Sequence, residues 1–235
     1  HHKEEKFIMK LKKIASLALA GIMAVSMLAG CKDGGNSNSG SSSENTNTAS
    51  GYSAMLGQKA AETLSDNDRD KIFTFADNDK DQKALSDAIL EIGDSKLENW
   101  VKNGYVVELS HKNYTDAYNS FKADADLDRT NLMDGTTKMF FDGSNAANTK
   151  KVGTIWVANG TVSMDKVLDK IFNAYEEAFE KAQKTGTTGS SGETTYDFKY
   201  TVSVSVVNKP VTSNTQFNGS INFIAVTVTR TGTAA

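Results

Sequence analysis

The sequence predicts an α+β fold, with a mainly antiparallel sheet of about five strands packed by one long and several short helices. Three observations lead to this fold class. One long stretch has apolar residues at helical spacing, a later stretch alternates apolar and polar residues, and a third, largely apolar stretch follows it. We therefore expect a single α+β domain over residues 52–232.

Short helices are expected in the first half of this domain. Apolar residues at helical spacing form a stripe that ends before Gly93: Ala84, Leu85, Ala88, Ile89 and Ile92. Ser95 and Glu98 have the spacing of a capping box at the start of a second short helix. Thr115 is placed to cap a third.

The long helix is expected from Met164 to Lys184. Its apolar face carries Met164, Val167, Leu168, Ile171, Phe172, Tyr175, Phe179 and Ala182. Ser163 is placed to cap its start and Gly186 to end it. Because one face is apolar along its whole length, we expect a sheet to cover that face.

Strands are expected on both sides of the long helix. The short candidates are Tyr105–Leu109, Lys138–Phe141 and Thr154–Val157, with a hairpin between the last two. The strongest pattern alternates from Tyr196 to Val206, and Phe217–Arg230 is its expected partner. The apolar positions of this partner change parity between Phe223 and Ile224, which predicts a β-bulge or burial of both faces.

Two low-complexity segments lie outside this pattern. Residues 32–50 are Ser, Asn, Gly and Thr without any aliphatic residue larger than Ala, a composition that cannot bury enough apolar surface to fold. We expect residues 31–51 to form a lipid anchor and flexible tether. A second such segment predicts a mobile loop at residues 185–195.

The first thirty residues have the order of a secretion signal. Lys10, Lys12 and Lys13 follow Met9, and seventeen uncharged residues then separate Lys13 from Cys31. That run is at the lower limit for a transmembrane helix. Residues 1–8 precede the expected initiator Met9, so we assign residues 1–30 to a signal peptide.

The run ends in Leu28, Ala29, Gly30 and Cys31, which resembles the lipobox of bacterial lipoproteins. The resemblance implies cleavage before Cys31 and a diacylglycerol thioether on its sulfur. Two acyl chains hold a protein stably on a membrane, so no other membrane-binding surface is needed. The expected location is therefore the extracytoplasmic face of the cell membrane, with the membrane as a partner through the lipid.

Composition excludes several function classes. Residues 31–235 hold 21 basic and 27 acidic residues, a net charge of −6. An acidic chain without a basic stripe is a poor nucleic-acid binder, so we expect no nucleic-acid partner. Cys31 is the only cysteine, which leaves no disulfide, thiolate zinc site or cysteine nucleophile in the domain.

Alternating aspartates occur three times, and the first run gives a calcium hypothesis. Asp66, Asp68 and Asp70 stand at the first three ligand positions of a calcium loop, and Asp77 stands at the twelfth. Lys71 occupies the position at which such loops turn on glycine. Aspartates ahead of a helix also cap its free amides. We expect no cofactor and keep calcium at these four residues as a hypothesis.

The short motifs that could carry catalysis do not have the order or spacing of an active site. Ser163–Lys166, Ser65–Asn67 and Lys184–Gly186 resemble the three short motifs of penicillin-binding proteins and serine β-lactamases. Their order is wrong, however, and eighteen residues of expected helix, about 27 Å, separate Lys166 from Lys184. His111 is the only histidine after the signal and has no recognisable nucleophile motif beside it.

The expected function is that of a membrane-anchored extracytoplasmic lipoprotein whose domain binds a ligand or docks a partner. Glycans, peptides and proteins are all open as ligands. Two alternatives remain, an envelope hydrolase that uses carboxylates and a structural accessory subunit of a surface complex. A histidine beside an acid would favour the hydrolase, and a bare sheet edge would favour docking.

Overall fold

A computed structural model describes eight stretches of the chain, all within the compact unit Asn45–Ala235. These stretches are residues 47–49, 51–64, 71–93, 97, 105–135, 138–188, 194–211 and 219–235. In them, no helix is both long and apolar enough to cross a membrane.

The described stretches contain four α-helices and seven strands. The helices are α1 Tyr52–Leu64, α2 Asp79–Ala88, α3 Thr115–Asp124 and α4 Met164–Lys181. A 3₁₀ turn, Ile89–Glu91, continues α2. The strands are β1 Asn47–Ala49, β2 Phe73–Phe75, β3 Val106–Glu108, β4 Lys150–Asn159, β5 Thr185–Thr188, β6 Thr194–Val211 and β7 Gly219–Ala234.

The strands form one sheet in the order β1-β6-β7-β4-β3, with β2 and β5 also paired to β6. All of these pairs are antiparallel except β2 with β6. The last strand, β7, therefore lies in the middle of the sheet. The antiparallel neighbours β6 and β7 are joined by only seven residues, 212–218, whereas α4 and β5 lie between β4 and β6 in the chain.

Both faces of the sheet are buried. Even-numbered residues of β6 and β7, such as Val204 and Val226, pack with α1 and α4 on one face. Phe223 and Ala225, with Ile155 and Val157 of β4, pack with α2 and α3 on the other. The register of β7 with β6 and β4 is continuous. Two-sided burial, without a bulge, therefore explains the change of apolar parity in β7.

The α+β class is confirmed, but the sheet has seven strands where about five were expected. The additional strands are short or polar. β1 and β2 have three residues each, and β5 has the sequence Thr-Gly-Thr-Thr. Segments of three or four residues are too short to show an alternating pattern. Whether they form strands depends on the neighbouring strand with which they pair.

Residues 138–141 were expected to form a strand, and this was wrong. Lys138 has a positive φ of 53°, which a strand cannot accommodate. Phe140 and Phe141 are buried, but they lie in an irregular segment. The carbonyl of Phe140 accepts a hydrogen bond from Arg129 Nη2 instead of a ladder partner. The expected hairpin with β4 is therefore absent from the described residues.

Two boundaries of the expected low-complexity segments also need correction. Residues 47–49 lie within the expected tether but form β1, because backbone hydrogen bonds to β6 require no apolar side chain. Residues 185–188 lie within the expected loop but form β5. There, Gly186 lets the backbone approach the ring of Phe198, from which an added Cβ would lie only 2.4 Å away.

A buried arginine fixes the segment that follows Phe141. Arg230 of β7 is fully buried, and its guanidinium carbon lies 4.3 Å from the ring centroid of Phe198. Its Nη2 donates hydrogen bonds to the carbonyls of Ser144 and Asn145, at 2.9 and 3.1 Å. Burial lowers the pKa of Arg230. The loop is therefore held to the sheet by a cation between aromatic rings.

Candidate functional site

The candidate site lies at the β3 edge of the sheet, where five polar side chains converge. We call these residues the edge cluster: Glu108, His111, Tyr118, Thr130 and Thr154. Glu108 ends β3, His111 follows in the next turn, Tyr118 comes from α3 and Thr154 from β4. Thr130 follows Arg129, which bridges to Val152 of β4.

Tyr118 occupies the point at which β3 separates from β4. The amide of Leu109 still donates to the carbonyl of Ile155 at 2.8 Å. The hydroxyl of Tyr118 donates to the Leu109 carbonyl at 2.8 Å and accepts from the Ile155 amide at 3.3 Å. The hydroxyl thus stands between two backbone groups that would otherwise bond each other. Burial raises the pKa of Tyr118.

His111 is held in place by its neighbours in the edge cluster. Its ring stacks on that of Tyr118 with centroids 3.7 Å apart and planes 10° apart. Its Nδ1 lies 3.2 Å from the hydroxyl oxygen of Thr130. Its Nε2 lies 3.6 Å from Oε1 of Glu108, an ion-pair distance rather than a hydrogen bond.

Glu108 connects the exposed and buried parts of this region. Its side chain is 40% exposed, and its Oε1 accepts a 2.8 Å hydrogen bond from the hydroxyl of Thr154. Beneath it, the indole of Trp156 donates to the hydroxyl of Tyr175 at 2.9 Å. Burial, assisted by the negative charge of Glu108, raises the pKa of Tyr175. The acid therefore lies over neutral, buried hydroxyl groups.

The outer side of β3 presents backbone groups at strand spacing. The amide of Asn159 bonds the Tyr105 carbonyl, and that of Leu109 bonds the Ile155 carbonyl. In an antiparallel ladder these contacts turn the amides and carbonyls of Val106 and Glu108 away from β4. β3 is the last strand on this side among the described residues.

Two exposed apolar side chains lie along this edge. Tyr105 is 55% exposed and Val107 is 39% exposed, which makes them two of the three large hydrophobic side chains exposed in the described part of the chain. Alternate side chains of a strand project to opposite faces. The β3 edge therefore combines backbone groups that face away from β4, exposed apolar surface and the partly exposed pair Glu108 and His111.

Neither family, curated-protein nor solved-structure comparisons give a match.

Most of the site residues predicted from sequence lie outside the described stretches. These are the lipobox, Leu28, Ala29, Gly30 and Cys31, and three of the aspartates, Asp66, Asp68 and Asp70. Asp77 is described and exposed, and its Oδ2 accepts a 2.8 Å hydrogen bond from the amide of Gly51. No group of three or more acidic, histidine or cysteine side chains suited to a metal is present in the described stretches.

The aspartates that follow Asp77 in the sequence make hydrogen bonds or ion pairs within the fold. Asn78, rather than an aspartate, caps α2 by accepting from the amide of Asp81 at 3.1 Å. Asp126 pairs with Lys80 on the surface. Asp128 Oδ2 accepts from the amide of Lys151 at 2.7 Å.

Asp81 is fully buried between α2 and the sheet, a role that the sequence did not reveal. Lys151 Nζ donates to its Oδ1 at 2.5 Å, and the hydroxyl of Thr227 donates to its Oδ2 at 2.6 Å. Aspartates in this region were expected only to cap the free amides of a helix. The burial of Asp81 follows only from the folded positions of β4 and β7, which bring Lys151 and Thr227 to its carboxylate.

Two of the motifs that resemble those of penicillin-binding enzymes, Ser163–Lys166 and Lys184–Gly186, lie apart, and the third, Ser65–Asn67, lies outside the described residues. Ser163 stands at the N-cap position of α4 without a side-chain capping bond. Thr185 and Gly186 belong to β5, so the expectation that they end the helix was wrong. The full length of α4, eighteen residues or roughly 27 Å, still lies between Ser163 and Lys184.

We expect Tyr118→Phe to reduce the free energy of unfolding by about 1–3 kcal/mol, because the buried amide of Ile155 and the hydroxyl of Thr154 lose a partner. Urea denaturation followed by circular dichroism measures this loss. Tyr105→Phe is the matched control, and its exposed hydroxyl should change the stability by less than about 0.5 kcal/mol. Equal stabilities of the two variants would contradict the bridging role of Tyr118.

Proposed function

We propose that this chain is a lipid-anchored extracytoplasmic docking module that binds an extended peptide segment of another protein along β3. The outward backbone of Val106 and Glu108 is the observation that carries the proposal. An added strand satisfies such groups by main-chain hydrogen bonds, and alternate side-chain contacts give specificity. The lipobox resemblance of residues 28–31 supports the anchor.

The side chains along the edge define the peptide that fits. Tyr105 and Val107 offer apolar contact to every second residue of an added strand. Glu108 and His111 lie at the end of β3 and provide polar contacts there. The fitting ligand is therefore an extended segment with apolar residues at alternate positions and a polar or basic residue near Glu108.

The experiment compares two substitutions at one position. The full-length protein in lipid nanodiscs is used to select binders from a random linear peptide library, and their affinities are measured by fluorescence anisotropy. Glu108→Pro removes the outward amide, and Glu108→Ala keeps it while removing the same carboxylate. Proline is tolerated at an edge when its nitrogen faces away from the ladder.

We expect Glu108→Pro to weaken peptide binding about two- to twelvefold relative to Glu108→Ala, the effect of one lost hydrogen bond of about 0.5–1.5 kcal/mol. Methylating the amides of alternate residues in a selected peptide should abolish binding without any change in the protein. Equal affinity for both variants together with indifference to methylation would refute strand addition. Thermal melts of both variants verify that they fold.

A second candidate function, hydrolysis, is favoured by one observation. His111 lies within 3.6 Å of the Glu108 carboxylate and 3.2 Å of the Thr130 hydroxyl. A histidine between an acid and a hydroxyl is able to act as a general base. Mass spectrometry of the selected peptides after incubation decides between the two: cleavage that His111→Ala abolishes would favour hydrolysis, whereas intact peptides favour docking.

A further inference from the structure

The register of the sheet places β1 and β3 at the same level on opposite edges. Thr48 of β1 pairs with Val207 of β6, which pairs with Phe223 of β7. Phe223 pairs with Val157 of β4, and Val157 pairs with Val107 of β3. Four strand spacings of about 4.8 Å separate Thr48 from Val107, a distance of roughly 19 Å.

The direction of β1 shows at which end of the sheet this strand begins. Asn47 pairs with Asn208 and Ala49 with Val206, so β1 begins toward the end at which Val211 of β6 lies. β4 also ends there, at Asn159, and the amide of Asn159 bonds the Tyr105 carbonyl next to β3. The start of β1 and the β3 edge thus share one end of the sheet.

The length of the N-terminal segment limits how far this end lies from the lipid. Fifteen residues separate Cys31 from Asn47. Sixteen virtual bonds span at most about 55 Å when fully extended. A chain of this Ser, Asn and Gly composition has a root-mean-square span of about 20–24 Å. The β3 edge is therefore expected within a few tens of ångströms of the membrane surface.

We infer that the partner docked on β3 is a membrane protein, which presents an extended extracytoplasmic segment close to the bilayer. This inference rests on the proposed docking function and names the class of its partner. A lipid headgroup layer is the less suitable occupant, because it offers no alternating donors and acceptors to the backbone of Val106 and Glu108. A short tether raises the effective concentration of the edge for partners in the same membrane.

The inference is tested in intact cells with a photo-crosslinking amino acid in place of Val107. The same crosslinker at Glu180, exposed on α4, is the control position. In a second variant, sixty Gly and Ser residues are inserted after Ser43, which makes the tether fivefold longer. The same sixty residues appended after Ala235 form the matched control. Mass spectrometry of the purified protein first verifies the lipid on Cys31.

We expect a crosslink to a membrane-integral protein from position 107 and none from position 180. Effective concentration falls as about the −3/2 power of tether length, so the longer tether should reduce the crosslink roughly tenfold. The C-terminal insertion should leave it unchanged. A soluble crosslinked partner, a lipid adduct, a yield indifferent to tether length, or an unmodified Cys31 would each overturn the inference.

These results are separable from those on the proposed function. Peptide affinities of the purified protein do not depend on tether length. If Glu108→Pro weakens peptide binding while the tether insertion leaves the crosslink unchanged, the docking function holds and the membrane-protein partner is refuted. If the peptides bind equally to Glu108→Pro and Glu108→Ala, the docking function itself fails.

Discussion

Asp81→Ala is expected to lower the free energy of unfolding by about 3–5 kcal/mol, because it leaves a buried charge without its partner. Asp81 has no exposed surface, and its carboxylate accepts hydrogen bonds from Lys151 Nζ and the Thr227 hydroxyl. Alanine would leave the ammonium group of Lys151, whose side chain is only 15% exposed, without its partner. Urea denaturation at neutral pH measures the loss.

The cause of this loss is tested by a second substitution. Lys151→Met removes the cation and keeps an apolar stem of similar length, so the double variant Asp81→Ala/Lys151→Met no longer buries an unpaired charge. We expect the double variant to be at least 1 kcal/mol more stable than the sum of the two single losses implies. Additive losses would show that the carboxylate acts through packing alone. Lys83→Met, at the surface pair with Asp87, is the exposed control.

Phe179→Ala is expected to lower the free energy of unfolding by about 3–5 kcal/mol, because it leaves a cavity at the centre of an aromatic cluster. Phe179 is 1% exposed. Its ring makes edge contacts with Phe140 and Phe73, at centroid distances of 4.9 and 5.2 Å. It also stacks with Phe172 at 5.8 Å. Chemical denaturation measures this change too.

Phe179→Leu separates the loss of volume from the loss of aromatic contacts. Leucine fills much of the same space, so a loss of less than about 2 kcal/mol is expected. If leucine were as destabilising as alanine, ring geometry rather than cavity size would dominate. If both variants were as stable as the natural chain, the core around α4 would be less tightly packed than these distances imply.

Local periodicity predicted the parts of the fold that repeat within one segment. Helix α4 begins at Met164, and seven of the residues expected on its apolar face, from Val167 to Ala182, are buried. The alternation around Val202 and Val204 lies within β6. The helix ends three residues earlier than expected because β5 pairs with β6 directly after it. That pairing is a tertiary contact without a local pattern.

Local patterns could not predict the candidate site either, because tertiary contacts bring its residues together. Glu108 and His111 are three residues apart, and their spacing is the only local signal of the edge cluster. The hydrogen bonds of Tyr118 to β4 depend on how α3 crosses the sheet edge. Thr130 and Thr154 have no pattern that distinguishes them from other threonines. Helix α1 was likewise not expected, because its apolar positions, Leu56, Ala60 and Leu64, are few.

The central place of β7 determines when the domain is able to fold. It joins β6 to β4, and it is the last of the described strands to be synthesised. Ser53 near the start of the unit also bonds Val204, 151 residues later. Contacts of such long sequence separation form slowly, and a chain lacking its final strand exposes the edges of both halves. Synthesis must therefore reach the end of β7 before the sheet closes, and until then the exposed edges of both halves are open to aggregation.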